Sequence, residues 1–69
     1  MKISARNVLK GKVQSVRNGA VNSEIAVKLP GGAILTAIIT KASSRSLKLA
    51  RGKDVYAVIK ASNVMIAID

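Results

Sequence analysis

The stretch VNSEIAVKLPGGAILTAIIT, residues 21–40, decides the fold because it contains the complete pattern of a β-hairpin. Every second residue from Val21 to Leu29 falls on one largely apolar face, which is the period-two pattern of a strand. The PGG at 30–32 predicts a tight turn, because proline fixes φ and glycine permits positive φ. AILTAIIT, residues 33–40, follows as the returning strand of the hairpin.

A further strand is predicted before this hairpin. LKGKVQSVR, residues 9–17, has a less regular alternation, and NGA at 18–20 is its turn. Gly11 inside this strand indicates a bulge or a point of close backbone approach.

After the hairpin the pattern changes. KASSRSLKLA, residues 41–50, has no β-branched residue and suits a short helix, with Gly52 as its expected terminator. KDVYAVIKA (53–61) and NVMIAI (63–68) are the last two predicted strands. The order of three strands, a helix and two strands predicts an all-β chain. Its expected form is a five-stranded OB-like small barrel, with one short helix between strands 3 and 4 and residues 1–69 as a single domain.

The predicted third strand is apolar on both faces, since Ile34 and Ile38 lie on one and Leu35 and Ile39 on the other. The predicted last strand repeats this. A half-exposed sheet alternates apolar and polar residues, and a chain of 69 residues is too short to cover both faces. Because large exposed apolar patches mark interfaces, the pattern predicts a homo-oligomer. The alternative, that the helix covers the second face, stays open, although the helix is short and polar.

Composition excludes several classes of function. The chain has no Cys and no His, so disulfides, classical zinc sites, His-based acid–base catalysis and Ser-His-Asp triads are absent. No Walker or dinucleotide glycine motif is present, and we expect no enzyme activity. No apolar run approaches the roughly 20 residues of a membrane span, and the N-terminus has no signal-peptide core. The chain is therefore expected to be soluble and cytoplasmic, with no membrane partner.

The charge is strongly positive. Twelve Lys and Arg residues stand against three acids, which gives a formal net charge of +9. The cations are scattered along the chain, with a denser group between Lys41 and Lys53. Such a balance indicates an anionic partner or a crowded cationic surface.

Two short segments near the ends of the chain, KISARN (2–7) and IKASN (59–63), are rich in hydrogen-bond donors and contain no acid. Their donor side chains are Ser4, Arg6, Asn7, Lys60, Ser62 and Asn63. A positively charged set of donors without a carboxylate suits a fully ionised tetrahedral oxyanion, such as molybdate, tungstate or sulfate. Backbone N–H groups can complete its shell.

Each of these residues also has a structural interpretation. Ser4 and Asn7 can cap a turn, Arg6 and Lys60 can be solvated, and Ser62 can belong to a bend between strands. Sequence spacing alone does not establish that the two segments meet.

The chain resembles the molbindins, small molybdate-binding proteins, and the molybdate-binding domains fused to molybdate-responsive regulators and some transporter ATPases. The resemblance runs through KISARN, LKGKV, NGAVNSEI, LPGG, ITKAS and VYAVIKASNVMIAI, and SARN followed about fifty residues later by IKAS is its most specific part. It implies an OB-like subunit in a homohexamer, a trimer of dimers, that holds molybdate and tungstate at subunit interfaces for intracellular molybdenum storage or homeostasis.

The resemblance also implies a ligand set by position. Arg6 and Lys60 are expected to supply charge and Ser4 and Ser62 hydroxyl donors. Ala61 would add its backbone N–H, and Asn7 would orient its segment. No direct cation ligand is expected. A second type of site near a threefold axis is placed at AVNS, with Asn22 as its side-chain candidate; its residues are Ala20, Val21, Asn22 and Ser23.

Two other functions compete with oxyanion binding. A basic OB-like module can bind nucleic acid, but single-strand binding relies on aromatic platforms, and Tyr56 is the one aromatic residue. Duplex phosphate contacts need no aromatic residues. The second competitor is an interaction module that assembles through its apolar faces and has no ligand of its own.

Overall fold

Four antiparallel strands, a short helix and a 3₁₀ turn make up the protein in the computed structural model, which describes residues 1–69. The strands are β1 Asn7–Asn18, β2 Asn22–Lys28, β3 Ile34–Thr40 and β4 Asp54–Ile59. The helix α1 covers Lys41–Ser46 and the 3₁₀ turn covers Ala61–Asn63. The hairpin predicted from residues 21–40 is confirmed as β2 and β3, in register from Asn22 opposite Thr40 to Lys28 opposite Ile34.

The strands form one sheet in the order β3-β2-β1-β4, which is curled into an open, OB-like half-barrel. A bulge in β1 between Val13 and Ser15 bends the strand. Gly11 is a point of close approach, because a Cβ there would lie 2.7 Å from the Lys28 carbonyl oxygen. The curl brings the two edge strands, β3 and β4, to opposite sides of one groove.

We call this groove the apolar groove. It has a volume of about 280 Å³, and twelve of its thirteen lining residues are apolar; they come from β2, β3, β4 and residues 47–49. The core at its base is small. Val13, Ile25 and Val27 are its buried apolar residues, and Leu35 and Ile39 are among the half-buried side chains packed against them.

The helix is shorter than predicted and ends at Ser46 rather than near residue 50. It begins at Thr40, whose Oγ1 accepts a hydrogen bond from the Ser43 amide at 3.0 Å. It ends because Lys48 adopts a left-handed conformation with φ of 53°. Gly52, the expected terminator, has φ of 91° and instead lies in the turn before β4.

The predicted all-β class with one short helix is confirmed, but the prediction of five strands is wrong. Residues 63–68 do not form a strand; the 3₁₀ turn ends at Asn63, and residues 64–69 have no regular structure. We call residues 64–69 the C-terminal segment. A strand needs a neighbouring strand for its backbone hydrogen bonds, and this segment has none within its own chain.

Burial within one chain is low. Only six of the 69 residues are buried. The C-terminal segment is the most exposed apolar part, with Met65, Ile66 and Ile68 at 92%, 86% and 93% exposure. The outer face of β3 is also open, since Ile38 is 70% exposed. The helix packs near β2 and β3 without covering that face.

Candidate functional site

The pairing of β1 with β4 brings the two donor-rich segments together. Asn7 is paired with Ile59 at the end of the antiparallel ladder. Arg6, just before β1, and Lys60, just after β4, therefore lie at the same edge of the sheet. The Asn7 side-chain amide donates to the Ile59 carbonyl oxygen at 3.4 Å and links residues 52 positions apart. Two segments that spacing alone could not connect therefore lie side by side.

The two segments line one open concavity of about 600 Å³, which we call the donor concavity. Its lining residues are Ile3, Ser4, Ala5, Arg6, Val58, Lys60, Ala61, Ser62 and Asn63. Five of the six residues predicted for the oxyanion site are in this set. Asn7 is the exception, because its amide is committed to the Ile59 carbonyl.

The donors of the concavity have no partners within the chain. Ser4, Arg6, Lys60 and Ser62 are exposed and make no side-chain hydrogen bond, and the single ion pair of the protein lies elsewhere. No Asp or Glu lines the concavity. Two fixed positive charges and two hydroxyls are thus available to a ligand, with no acceptor carboxylate beside them.

The 3₁₀ turn adds backbone donors to the same wall. Lys60 precedes the turn, and its carbonyl accepts from the Asn63 amide at 2.8 Å. The first amides of any helical turn have no partner within the turn. Here they belong to Ala61 and Ser62, which both line the concavity.

The residues predicted for a second site, Ala20 to Ser23, are only partly together. Asn22 and Ser23 line a concavity of about 350 Å³, but Ala20 and Val21 do not. Ser23 is buried and its hydroxyl donates to the Asn18 side-chain oxygen at 2.6 Å. Of the four predicted residues, Asn22 is therefore the available side-chain donor, and the exposed Arg17 guanidinium lines the same concavity. Glu24 lines the same concavity, and its carboxylate works against an anion there.

Other polar groups offer no competing centre. No group of three or more Asp and Glu residues is placed to hold a metal ion. The Lys12 ammonium lies 2.7 Å from an Asp54 carboxylate oxygen, and this hydrogen bond, with the attraction of the same charge, lowers the pKa of Asp54. The two helical elements have six and three residues, and neither is long or apolar enough to cross a membrane.

The interpretation from the sequence missed the apolar part of the concavity, Ile3 and Val58. The alternation of β4 could have indicated Val58, because successive side chains of a strand point to opposite faces. Ala57 and Ile59 face inward, and Val58 between them is 42% exposed. Nothing in the sequence pattern singled out Ile3.

Comparison with known proteins gives consistent matches over nearly the whole chain. The model of the TOBE domain family matches residues 3–66. The probable molybdenum-pterin-binding protein of Haemophilus influenzae is 46% identical over 69 residues, which is all of both chains.

Two solved structures are similar. MopII from Clostridium pasteurianum superposes with a TM-score of 0.92 at 40% identity, covering 97% of this chain and 100% of that one. The cytoplasmic molybdate-binding protein ModG, in a form with molybdate bound, superposes with a TM-score of 0.85 at 57% identity, covering 88% of this chain and 43% of the ModG chain.

Proposed function

The chain belongs to the TOBE domain family, and its relatives confirm the predicted resemblance to the molbindins. We propose that it binds molybdate, and tungstate with it, in the donor concavity. The observation that carries the proposal is the meeting of SARN and IKAS in one acid-free concavity whose donors have no partner within the chain. ModG, 57% identical over the matched part, has been solved with molybdate bound.

The chemistry of the concavity suits a dianion. Arg6 and Lys60 supply two positive charges, Ser4 and Ser62 supply hydroxyl donors, and Ala61 supplies a backbone N–H. Hydrogen bonds to a charged acceptor are shorter and stronger than those between neutral groups. Since no carboxylate is present to accept a proton from the ligand, a protonated anion such as hydrogenphosphate would leave its O–H without a strong acceptor. Asn7 acts as a positioning residue that ties the first segment to β4.

We infer that a second chain completes the site. The donor concavity is open, and every donor side chain that lines it is exposed, whereas an oxyanion that has lost its hydration shell needs donors on all sides. In the proposed assembly, a homohexamer built as a trimer of dimers, the concavities of neighbouring chains face a shared anion.

The unpartnered apolar surface supports this assembly. The C-terminal segment exposes Met65, Ile66 and Ile68, and the apolar groove lies between the two free strand edges of the half-barrel. An extended segment laid against a free edge gains backbone hydrogen bonds and buries alternate side chains. We propose that the C-terminal segment of one chain packs on another copy, which would cover surface that this chain alone cannot.

The proposed role is intracellular molybdenum storage or homeostasis in the cytoplasm. The similar proteins carry binding and transport names, and one is described as cytoplasmic. A binding protein without catalysis agrees with the absence of His and Cys. The Asn22 concavity is proposed as a second oxyanion site, because Asn22 and Arg17 offer donors there. We expect it to bind more weakly than the donor concavity, because the Glu24 carboxylate lines it as well.

Calorimetric titration of the purified protein with molybdate, tungstate, sulfate and phosphate tests the proposal directly. We expect molybdate and tungstate to bind more tightly than sulfate and phosphate, and to keep their affinity from low to near-physiological salt. Equal and salt-sensitive binding of all four anions would mean that the surface charge attracts them without a specific pocket, and the proposal would then be wrong.

A further inference from the structure

Most of the positive charge lies outside the donor concavity. Two of the twelve cationic side chains, Arg6 and Lys60, line it, which leaves ten against three acids. None of the three acids lies between residues 25 and 53: Asp54 is bonded to Lys12, Glu24 lies opposite Arg17 in the register of β1 and β2, and Asp69 is the last residue. Between Glu24 and Asp54 the chain has no acid. The cations of that stretch are therefore unbalanced.

We call four of these cations, which lie on α1 and in the loop that follows it, the basic cap: Lys41, Arg45, Lys48 and Arg51. Lys41 and Arg45 lie four residues apart on α1, so they are neighbours on one face of the helix, where like charges repel. Arg45, Lys48 and Arg51 are exposed, and none of the four makes an ion pair or a side-chain hydrogen bond. Lys53 differs from these four, because its ammonium donates a hydrogen bond at 2.5 Å to the carbonyl of Leu47, the residue that caps the C-terminal end of α1.

The backbone at Lys48 supports a specific placement of this charge. The Lys48 amide donates to the Arg45 carbonyl and the Leu49 amide to the Ser44 carbonyl, which together form a Schellman closure of α1. Glycine is the residue favoured at the left-handed position of this motif. Here that position holds Lys48 at φ of 53°, so the closure of α1 carries an exposed ammonium where a glycine would have no side chain.

We propose that the basic cap binds the phosphate backbone of duplex nucleic acid, independently of the donor concavity and in addition to the proposed oxyanion binding. No basic-cap residue lines the donor concavity, the apolar groove, the Asn22 concavity or the concavity beside the Lys12–Asp54 pair. The cap lies outside these concavities and suits an extended anion. Phosphate contacts by Lys and Arg need no pocket and no aromatic platform.

The chemistry of the cap favours a duplex over other polyanions. A single strand binds on aromatic side chains, and the one aromatic residue, Tyr56, lies on β4 outside the cap. A protein interface has apolar or aromatic anchors at its centre, and Leu47 is the one exposed large apolar side chain among residues 41–53. A membrane surface binds an amphipathic helix with an apolar face, which the six residues KASSRS do not supply.

The experiment is a fluorescence anisotropy titration of the assembled protein with a labelled mixed-sequence DNA duplex, in saturating molybdate, at several salt concentrations. The test variant is Lys41→Gln/Arg45→Gln/Lys48→Gln/Arg51→Gln. The matched control, Lys2→Gln/Lys10→Gln/Arg17→Gln/Lys28→Gln, removes the same charge elsewhere. Sedimentation and thermal unfolding of each variant report whether the assembly and the fold are kept, and molybdate titration of the test variant reports the donor concavity.

For the native protein, four phosphate contacts predict a decline of log K with log salt of about 3.6, or about a hundredfold loss of affinity between roughly 50 and 200 mM salt. The test variant should lose this slope and at least about tenfold in affinity at the low-salt end, with molybdate affinity unchanged. The control should keep most of the native slope.

Three outcomes would overturn the proposal. The first is no duplex binding by the native protein at low salt. The second is an equal loss in the test variant and the control, which would assign binding to net charge alone. The third is equal or tighter binding of polyglutamate or of phosphatidylserine vesicles, which would assign the cap to an acidic protein or a membrane.

Discussion

Replacing Arg6 or Lys60 by alanine is expected to weaken molybdate binding by about 1.5–3 kcal/mol each, the range for hydrogen bonds to charged groups. This corresponds to about a 10- to 150-fold rise in Kd. The structure isolates the effect, because neither side chain has a hydrogen bond or an ion pair within the chain. Its removal therefore leaves no unpaired partner behind, and the free energy of unfolding of the subunit should change little.

The assay is calorimetric titration with molybdate at near-physiological salt, with sedimentation of each variant to follow its oligomeric state. Lys2→Ala is the matched control: it removes the same charge from the same segment, but Lys2 is exposed and does not line the donor concavity. The loss in the Arg6→Ala/Lys60→Ala double variant should differ from the sum of the two single losses, because both groups act on one anion.

Molybdate affinity within twofold of the native value in both single variants would refute the assignment of these residues. An equal loss in Lys2→Ala would refute it in another way, since general surface charge would then account for the effect. In either case the fold would stand. Unchanged affinity in both single variants would make the Asn22 concavity the leading oxyanion site.

Three further predictions address the fold and the assembly. Gly11→Ala should destabilise the chain by about 1–3 kcal/mol in urea unfolding, because its Cβ would lie 2.7 Å from a backbone carbonyl oxygen of β2; an unchanged midpoint would contradict the close approach. Ile66→Asn/Ile68→Asn should shift sedimentation toward smaller species, because both exposed side chains lie in the proposed subunit contact; an unchanged distribution would remove the C-terminal segment from that contact. Asp54→Asn should reduce the decline of the free energy of unfolding as the pH falls below about 3.9. The pKa of Asp54 is lowered in the folded chain, so its contribution is present above the ordinary value of about 3.9 and is lost as pH falls through the folded value. The same change of melting temperature with pH in the native protein and in Asp54→Asn, over this acid range, would contradict the prediction.

The hairpin was predictable because its signals are local. Alternation along residues 21–29 needs only the period of two, and the turn needs residues that accept positive φ. Gly31 and Gly32 have φ of 93° and 99°, and the Leu29 amide donates to the Ala33 carbonyl at 2.8 Å to close the turn. The helix start was predictable for the same reason, but its end was not, because no rule of composition expects a lysine in a left-handed conformation.

The prediction of a fifth strand was wrong for a different reason. NVMIAI has the composition of a strand. Such a composition indicates that the segment becomes buried, but it does not indicate whether its own chain or another chain covers it. In the single chain the segment has no strand beside it, and its side chains remain exposed. The same apolar pattern correctly predicted that the single chain leaves apolar surface uncovered.

Predicting the candidate site needs the register of β1 against β4, which the spacing of residues along the sequence does not give. Once Asn7 lies opposite Ile59, SARN and IKAS must emerge side by side. Residues 60–69 then carry both the donors Lys60 and Ser62 and the apolar C-terminal segment. If that segment packs on a second chain, as proposed, its docking also fixes the donors beside it. An anion that binds only the assembled form stabilises the assembly by mass action. Weakening the contact of the C-terminal segment should therefore weaken molybdate binding, although no residue of that segment lines the donor concavity.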